Sequence, residues 1–381
     1  MMIQLTKEQE RIRQEIRKFA EEKIAPLAGE IDKTGEYPPK LLELFAEHDL
    51  LKLKLPGKYG GLEEEPVTYY LIIEEIARVC ASSAMFVAVH GSCMTSIRVG
   101  GDDHLKDRIF GKLGKENLLM GWALTEPNAG SDVASMEAQA VLDGDHYVIN
   151  GSKCFISGGA GGECADIYTT FVKTGNVKGK KNISGFVVEK NTPGFRIGKI
   201  ENKLGLHGSQ AVELIFKDAR VPKENLMGKE GDGWRILMES IKETRLGIAA
   251  MALGIAQGAL DQAINYAKQR VQFGRPISEF QGVQFMLADM KIQVEASRAM
   301  VYQTASMLER GVKNILPSAS MAKCFASDAA MKVTTDAVQI LGGSGYMQDY
   351  PVERMMRDAK ATQIMEGTNQ IQRLIIAKSI L

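Results

Sequence analysis

Asp143-Gly144-Asp145-His146-Tyr147-Val148-Ile149-Asn150-Gly151 is the stretch that decides the fold. Asp-Gly-Asp reads as a tight hairpin turn, and the β-branched and aromatic run after it reads as a strand. Residues 167–172, 185–188 and 212–216 repeat the pattern of short strands separated by turns. No long helical period interrupts them between about residues 120 and 221. That argues for antiparallel β, a small barrel or sandwich, and against βαβ units.

Helical signals lie on both sides. Thr6 with Gln9 forms a capping box, and Ile12, Ile16, Phe19 and Ile24 recur at helical spacing. Pro38-Pro39 opens another helix, and residues 68–84 and 85–97 have the apolar character of buried helices. After Gly231-Asp232-Gly233, residues 234–269 predict an unusually long helix that Gly274-Arg275-Pro276 stops. Ser278 with Gln281 reads as a second capping box, opening a helix to Arg310-Gly311. Pro317 begins a third, ended by Gly342-Gly343. Helices this long fit a bundle whose apolar faces continue into subunit contacts. The expected fold class is α+β: an N-terminal helical domain (1–118), a central antiparallel β-barrel or sandwich domain (119–228) and a C-terminal four-helix-bundle domain (229–381).

Composition narrows the function. Lys+Arg and Asp+Glu are both 47, so the net charge is zero, which argues against a nucleic-acid binder. The five cysteines, Cys80, Cys93, Cys154, Cys164 and Cys324, are odd in number and lack CxxC spacing. They read as reduced thiols, with cytoplasmic placement as the default. No stretch approaches ~20 uninterrupted apolar residues, so neither a spanning helix nor a signal peptide is expected. The glycine-rich stretches at 158–162 and 342–345 do not open βαβ units, HExxH and GxSxG are absent, and the histidines are scattered. Neither a Rossmann site, a metal site nor a hydrolase elbow is expected.

Three segments carry candidate chemistry. In Met365-Glu366-Gly367-Thr368-Asn369-Gln370, Glu366 follows an apolar pair, so burial could raise its pKa toward that of a general base. The same arrangement describes an acid that merely complements a helix N-terminus, and the local residues leave both open. Leu124-Thr125-Glu126-Pro127-Asn128-Ala129-Gly130-Ser131-Asp132 is a loop of hydroxyls and small residues, able to bind a cofactor or to be an ordinary capped turn. Arg270 could complement a helix dipole or grip a pyrophosphate.

These segments, together with Gln339-Ile-Leu-Gly-Gly-Ser-Gly-Tyr346, Asp349, Arg354 and Asp358, resemble the acyl-CoA dehydrogenase flavoproteins, in the family's order and across about the whole chain. The spelling is similar to the short-chain, butyryl-CoA dehydrogenase branch. The resemblance implies FAD as cofactor, an acyl-CoA substrate, electron-transfer flavoprotein as partner and a homotetramer with FAD held between subunits. It places the α-proton base at Glu366, whose backbone N–H would also polarise the thioester oxygen. The alternative base position of the long-chain and isovaleryl branch falls on Thr244, which cannot serve. Glu243, turned ~100° along the helix, is expected at the surface or on the CoA side.

For FAD, the resemblance implies Trp122, Leu124, Thr125, Gly130 and Ser131 from the loop, and Phe155 and Ser157 from the strand after it. Arg270, Gln272, Phe280, Gln281, Gln339 and Gly343 would come from a neighbouring subunit, with Thr368 and Gln370 as further dinucleotide contacts. Ser131, Thr244, Arg245 and Gly367 match positions at the acyl-CoA, and Phe86, Val89, Ser92, Met94 and Met365 would line an apolar pocket. The same scaffold could run as an enoyl-CoA reductase, act on alicyclic or aryl thioesters, or use O2 as an oxidase. A scaffold that only binds a partner flavoprotein would not need both Glu366 and the loop.

Overall fold

The computed structural model describes residues 4–159, 165–175 and 182–381; Cys164 and Ala160, Gly161 and Gly162 of the first glycine-rich stretch lie outside the described residues. The chain opens with α1 (Lys7–Phe19), α2 (Ala28–Thr34), α3 (Pro39–Glu47), α4 (Pro66–Ala77), α5 (Ala81–Gly100) and α6 (Asp103–Lys115). The capping box at Thr6 is present, and Pro39 starts α3 where its missing N–H costs nothing. The apolar run expected over 68–84 breaks at Arg78, Val79 and Cys80, so α4 and α5 fold against each other.

The strands are β1 (Met120–Ala123), β2 (Gln139–Asp143), β3 (His146–Ser157), β4 (Ile167–Thr174), β5 (Ile183–Glu189), β6 (Phe195–Ile200), β7 (Ala211–Pro222) and β8 (Leu226–Met227). They form one sheet in the order β6-β7-β3-β2-β4-β5-β8, with β1 alongside β4. Asp143 faces His146 across the expected hairpin turn, with Gly144 at φ 63°. The sheet is mixed rather than wholly antiparallel, because β1 and β2 both pair with β4 in parallel. The cause is the hairpin itself. β3 reverses the chain and spends its other edge on β7, so the returning β4 lies beside β2, running in the same direction.

The remaining helices are α7 (Gly233–Gln269), α8 (Gln281–Glu309), α9 (Leu316–Leu341), α10 (Pro351–Thr362) and α11 (Asn369–Ile380), with a short hairpin of β9 (Val271–Gln272) and β10 (Arg275–Pro276) after α7. The Ser278–Gln281 capping box does not form. Residues 277–279 make a 3-10 turn and α8 begins after Phe280 without a side-chain cap. α7 packs against α4, α5, α8, α9 and α10. Small residues allow this: a Cβ on Gly254 would lie 2.2 Å from the Glu74 carbonyl oxygen of α4. α7 is long and apolar enough to cross a membrane, but 78% of its most apolar stretch is buried inside the protein, as a core helix is. Cys80, Cys93, Cys154 and Cys324 are free and buried.

Candidate active site

Between α10 and α11 the chain turns sharply, and the turn is built on two left-handed residues, Glu366 at φ 53° and Gly367 at φ 86°. Glycine takes that conformation freely, but at a residue with a side chain it costs about 1–3 kcal/mol and persists only when the surroundings hold it. Thr368 then caps α11, its hydroxyl accepting from the N–H of Ile371. The strain turns the Glu366 carboxylate onto the wall of a cavity of about 640 Å³.

That wall draws on every part of the fold. Met85, Ala88, Val89 and Ser92 come from one face of α5, Ile248 from α7, and Ile364, Met365, Gly367 and Thr368 from the turn. Phe86 and Met94, expected here, are buried elsewhere: they fall off the face that residues 85, 88, 89 and 92 share, and Phe86 packs edge-on to Tyr37 at 4.6 Å. Trp122, Leu124, Thr125, Gly130, Ser131, Phe155 and Ser157 all line the same cavity. The structure therefore gathers the whole loop-and-strand set with the carboxylate.

Local structure explains how each is presented. β3 carries a bulge between Lys153 and Ile156, where Phe155 sits at φ 59° with 64% of its surface exposed. An exposed ring on a strained backbone at a cavity is an invitation to a planar ligand. Trp122 donates from Nε1 to Ser96 Oγ at 3.1 Å and packs edge-on to Phe171. Thr125, Ser131 and Ser157 use none of their hydroxyls in hydrogen bonds among the described residues.

Thr244 and Arg245 stand behind Glu366 instead of on the cavity wall. Thr244 Oγ1 donates to Glu366 Oε2 at 2.7 Å, and Arg245 Nε donates to the Glu366 carbonyl at 3.3 Å. Both are buried. Burial raises the pKa of Glu366, opposed by the Thr244 hydrogen bond and the charges of Arg245 and Lys323. Burial also pulls Arg245 down to about 10. The backbone N–H of Glu366 makes no hydrogen bond among the described residues, so it is free for a ligand oxygen.

Glu243 departs from expectation. It is neither at the surface nor on the cavity, but in an ion pair with Lys54 at 2.6 Å and with Arg98. Burial would raise its pKa, but the two cations outweigh that and hold it at about 2.

Within one chain, the other expected FAD contacts do not reach the cavity. Arg270 and Gln272 are exposed at the end of α7 and on β9, Gln281 at the start of α8, Gln339 and Gly343 at the end of α9, and Gln370 in the first turn of α11; Phe280 is half-buried under the Arg275 guanidinium at 4.4 Å.

Two lysines escaped the sequence reading. Lys153, fully buried on β3, donates to Glu126 Oε1 at 2.7 Å and to the Leu124 carbonyl at 3.1 Å, while Glu126 accepts from the N–H of Ala138 at 3.1 Å. This pair pins the 124–132 loop. Lys323, fully buried on α9, reaches the Gly367 carbonyl at 2.9 Å. A lysine inside a helical apolar run gives no sign of its target, although its place on a buried face was a usable signal.

Family models describing the N-terminal, middle and C-terminal domains of acyl-CoA dehydrogenase match residues 6–117, 121–219 and 231–381. The chain is 50% identical over 378 residues to an acyl-CoA dehydrogenase of Bacillus subtilis, covering 99% of each. It superposes with a TM-score of 0.95 on butyryl-CoA dehydrogenase from Megasphaera elsdenii, at 41% identity and 100% coverage of both chains. A chain solved in a study of the electron transferring flavoprotein of Acidaminococcus fermentans matches with a TM-score of 0.96 and 45% identity, again covering 100% of both.

The chain belongs to the acyl-CoA dehydrogenase family. It is an oxidoreductase of the FAD-dependent flavoprotein class, with the helical, β and helical organisation of that family. The residues present fit the cofactor: an exposed aromatic face at Phe155, and hydroxyls at Thr125, Ser131 and Ser157 without partners among the described residues, around one cavity.

Proposed function

We propose that the protein oxidises a short acyl-CoA to the trans-2-enoyl-CoA, with Glu366 as the base that removes the α-proton, and passes the electrons to an electron-transfer flavoprotein. The observation that carries this is Glu366 itself: a carboxylate of raised pKa, forced by a left-handed backbone onto the wall of a mainly apolar cavity. FAD, when bound, supplies the two-electron acceptor for the β-hydrogen. The C–H bonds at the α and β carbons break, the α-proton passes to a Glu366 carboxylate oxygen, and a C=C bond forms between the two carbons.

The α-proton of a thioester is weakly acidic, so charge builds on the carbonyl oxygen as it leaves. The unengaged N–H of Glu366 supports that oxygen as its own carboxylate takes the proton. Thr244 keeps the carboxylate oriented, and Met85, Ala88, Val89, Ile248 and Met365 shelter the reacting carbons from water. Ser131 and Gly367, also on the wall, fit contacts to the thioester moiety.

Two features support FAD shared between subunits of a homotetramer. Arg270, Gln272, Gln281, Gln339, Gly343 and Gln370 are exposed and far from saturated by their own chain. The same helical region exposes Phe273 at 94%, Phe285 at 61% and Ile292 at 62%, apolar surface that a subunit contact would cover. The buried free thiols fit a reducing compartment such as the cytoplasm.

Anaerobic titration of the FAD-loaded protein with straight, branched, cyclic and aromatic acyl-CoAs tests the reading. Bleaching by butyryl-CoA with slow reoxidation in air is expected. Fast peroxide formation would make the protein an oxidase, and bleaching by the cyclic thioesters alone would move the substrate class.

A further inference from the structure

The turn that carries Glu366 is held by its carbonyls as well as by its side chain. The Glu366 carbonyl accepts from Arg245 Nε at 3.3 Å and from Gln372 Nε2 at 3.2 Å. The Gly367 carbonyl accepts from the same amide at 2.8 Å and from Lys323 Nζ at 2.9 Å. Lys323 also donates to Asn369 Oδ1 at 2.9 Å, and Asn369 is itself fixed through Nδ2 to Ser327 Oγ at 2.8 Å and Asp328 Oδ1 at 2.7 Å.

Among the described residues, no acceptor of Lys323 is a carboxylate. A buried ammonium without a directly bonded anion is costly, and a methionine would fill the same space without that cost. The charged and titratable groups facing Lys323 are Glu366 from the turn, Arg245 from α7, and Cys324 and Asp328 from α9 itself. Asp328 is already paired with Arg373 at 2.6 Å. Glu366 is therefore the anion that Lys323 and Arg245 both face.

Taking Glu366 as the base, we propose that Lys323 is a positioning residue for proton abstraction: from the N-terminal third of α9 it grips the Gly367 carbonyl and so fixes the left-handed turn with the Glu366 carboxylate aimed into the cavity. A left-handed residue with a side chain relaxes unless neighbouring groups over-determine it. Lys323, Gln372 and Arg245 supply that restraint by drawing two consecutive carbonyls to one side. The ammonium also opposes the effect of burial on Glu366, favouring the ionised form beside the Thr244 hydrogen bond and the Arg245 charge.

The test compares the FAD-loaded wild type with Lys323→Met and Lys323→Gln, using butyryl-CoA and kcat per bound flavin across pH. Lys323→Met should leave KM within about twofold while kcat falls roughly 10- to 100-fold, the size expected for a misplaced catalytic group. Its acid limb should move to higher pH, because a cation facing Glu366 is gone. Lys323→Gln keeps an N–H donor without the charge, so it should recover part of kcat and keep the shifted limb; it carries the same test should the methionine variant fail to hold flavin. Unchanged kcat, or a loss confined to KM or to thermal stability with the limb unmoved, overturns the proposal. A crystal structure of either variant reads the geometry without catalysis: Glu366 should leave the left-handed region, and its persistence there overturns the proposal too. Wild-type protein inactive toward every acyl-CoA would instead sink the assignment of Glu366 as base, while the crystal structures still decide the role of Lys323.

Discussion

Thr244 Oγ1 donates a 2.7 Å hydrogen bond to Glu366 Oε2 across 122 residues of sequence. That bond joins the long helix α7 to the turn before α11, and fixes which carboxylate oxygen faces the cavity. It also stabilises the ionised form of an acid that burial would neutralise.

Glu366→Gln removes the proposed base and keeps the shape. FAD absorbance and acyl-CoA binding should survive, while turnover falls by about 10²–10⁴. Stopped-flow reduction of the flavin by butyryl-CoA measures this, and substantial residual reduction would place the base elsewhere.

The proposed role needs Glu366 ionised, so kcat should decline as pH falls through its raised pKa. Thr244→Val deletes the donor that lowers that pKa, and the acid limb should move to higher pH. A pH–rate profile with an unmoved limb would show that the Thr244 bond does not tune the base.

Phe155→Ala separates ligand binding from folding. The ring is 64% exposed, so the cofactor-free protein should melt within about 0.5 kcal/mol of wild type. Flavin retention, measured as the ratio of flavin to protein after gel filtration, should drop clearly. An apoprotein destabilised as much as the loaded form would mean that the ring packs the fold instead.

Lys153→Met strands Glu126 as a buried unpaired acid. Breaking one side of such a pair costs about 3–5 kcal/mol, and the 124–132 loop should lose flavin with it. Adding Glu126→Gln should restore part of the melting temperature; no restoration would show that the pair contributes through something other than charge.

Asp358 gives a stability signature. Burial raises its pKa from 3.8 to about 6, while its Oδ1 accepts from the Leu206 N–H at 2.6 Å. The folded state therefore holds this proton more tightly than the unfolded state does. Its contribution is fully present below about pH 3.8 and is lost as pH rises to about 6. Asp358→Asn keeps an acceptor without the charge, so its melting temperature relative to wild type should be higher at pH 8 than at pH 4. A pH-independent difference between the two proteins would rule this out.

Much of this was legible in the residues, for identifiable reasons. The capping box at Thr6 and the turn at Gly144 are local signals, and both stand where expected. Glu366, with its glycine and its helix cap, was visible because all three effects lie within a few residues. The parallel pairing of β2 with β4 was not, since it depends on β7 occupying the far edge of β3. Glu243 was misread because Lys54 lies 189 residues away and Arg98 lies 145. Lys153 and Lys323 were passed over because lysine is ordinarily a surface residue, and their acceptors, the Glu126 carboxylate and the Leu124 carbonyl for one, the Gly367 carbonyl and the Asn369 amide for the other, lie 27 to 46 residues away in sequence.

The cavity wall has a consequence for how the protein is made. Its lining begins at Met85 on α5 and is finished only by Ile364–Thr368. A chain emerging from the ribosome in order must display the apolar face of α5 long before the segment that closes over it exists. Cofactor capture must then be a late, nearly post-synthetic event. The interval before it is when the nascent protein most needs chaperone cover.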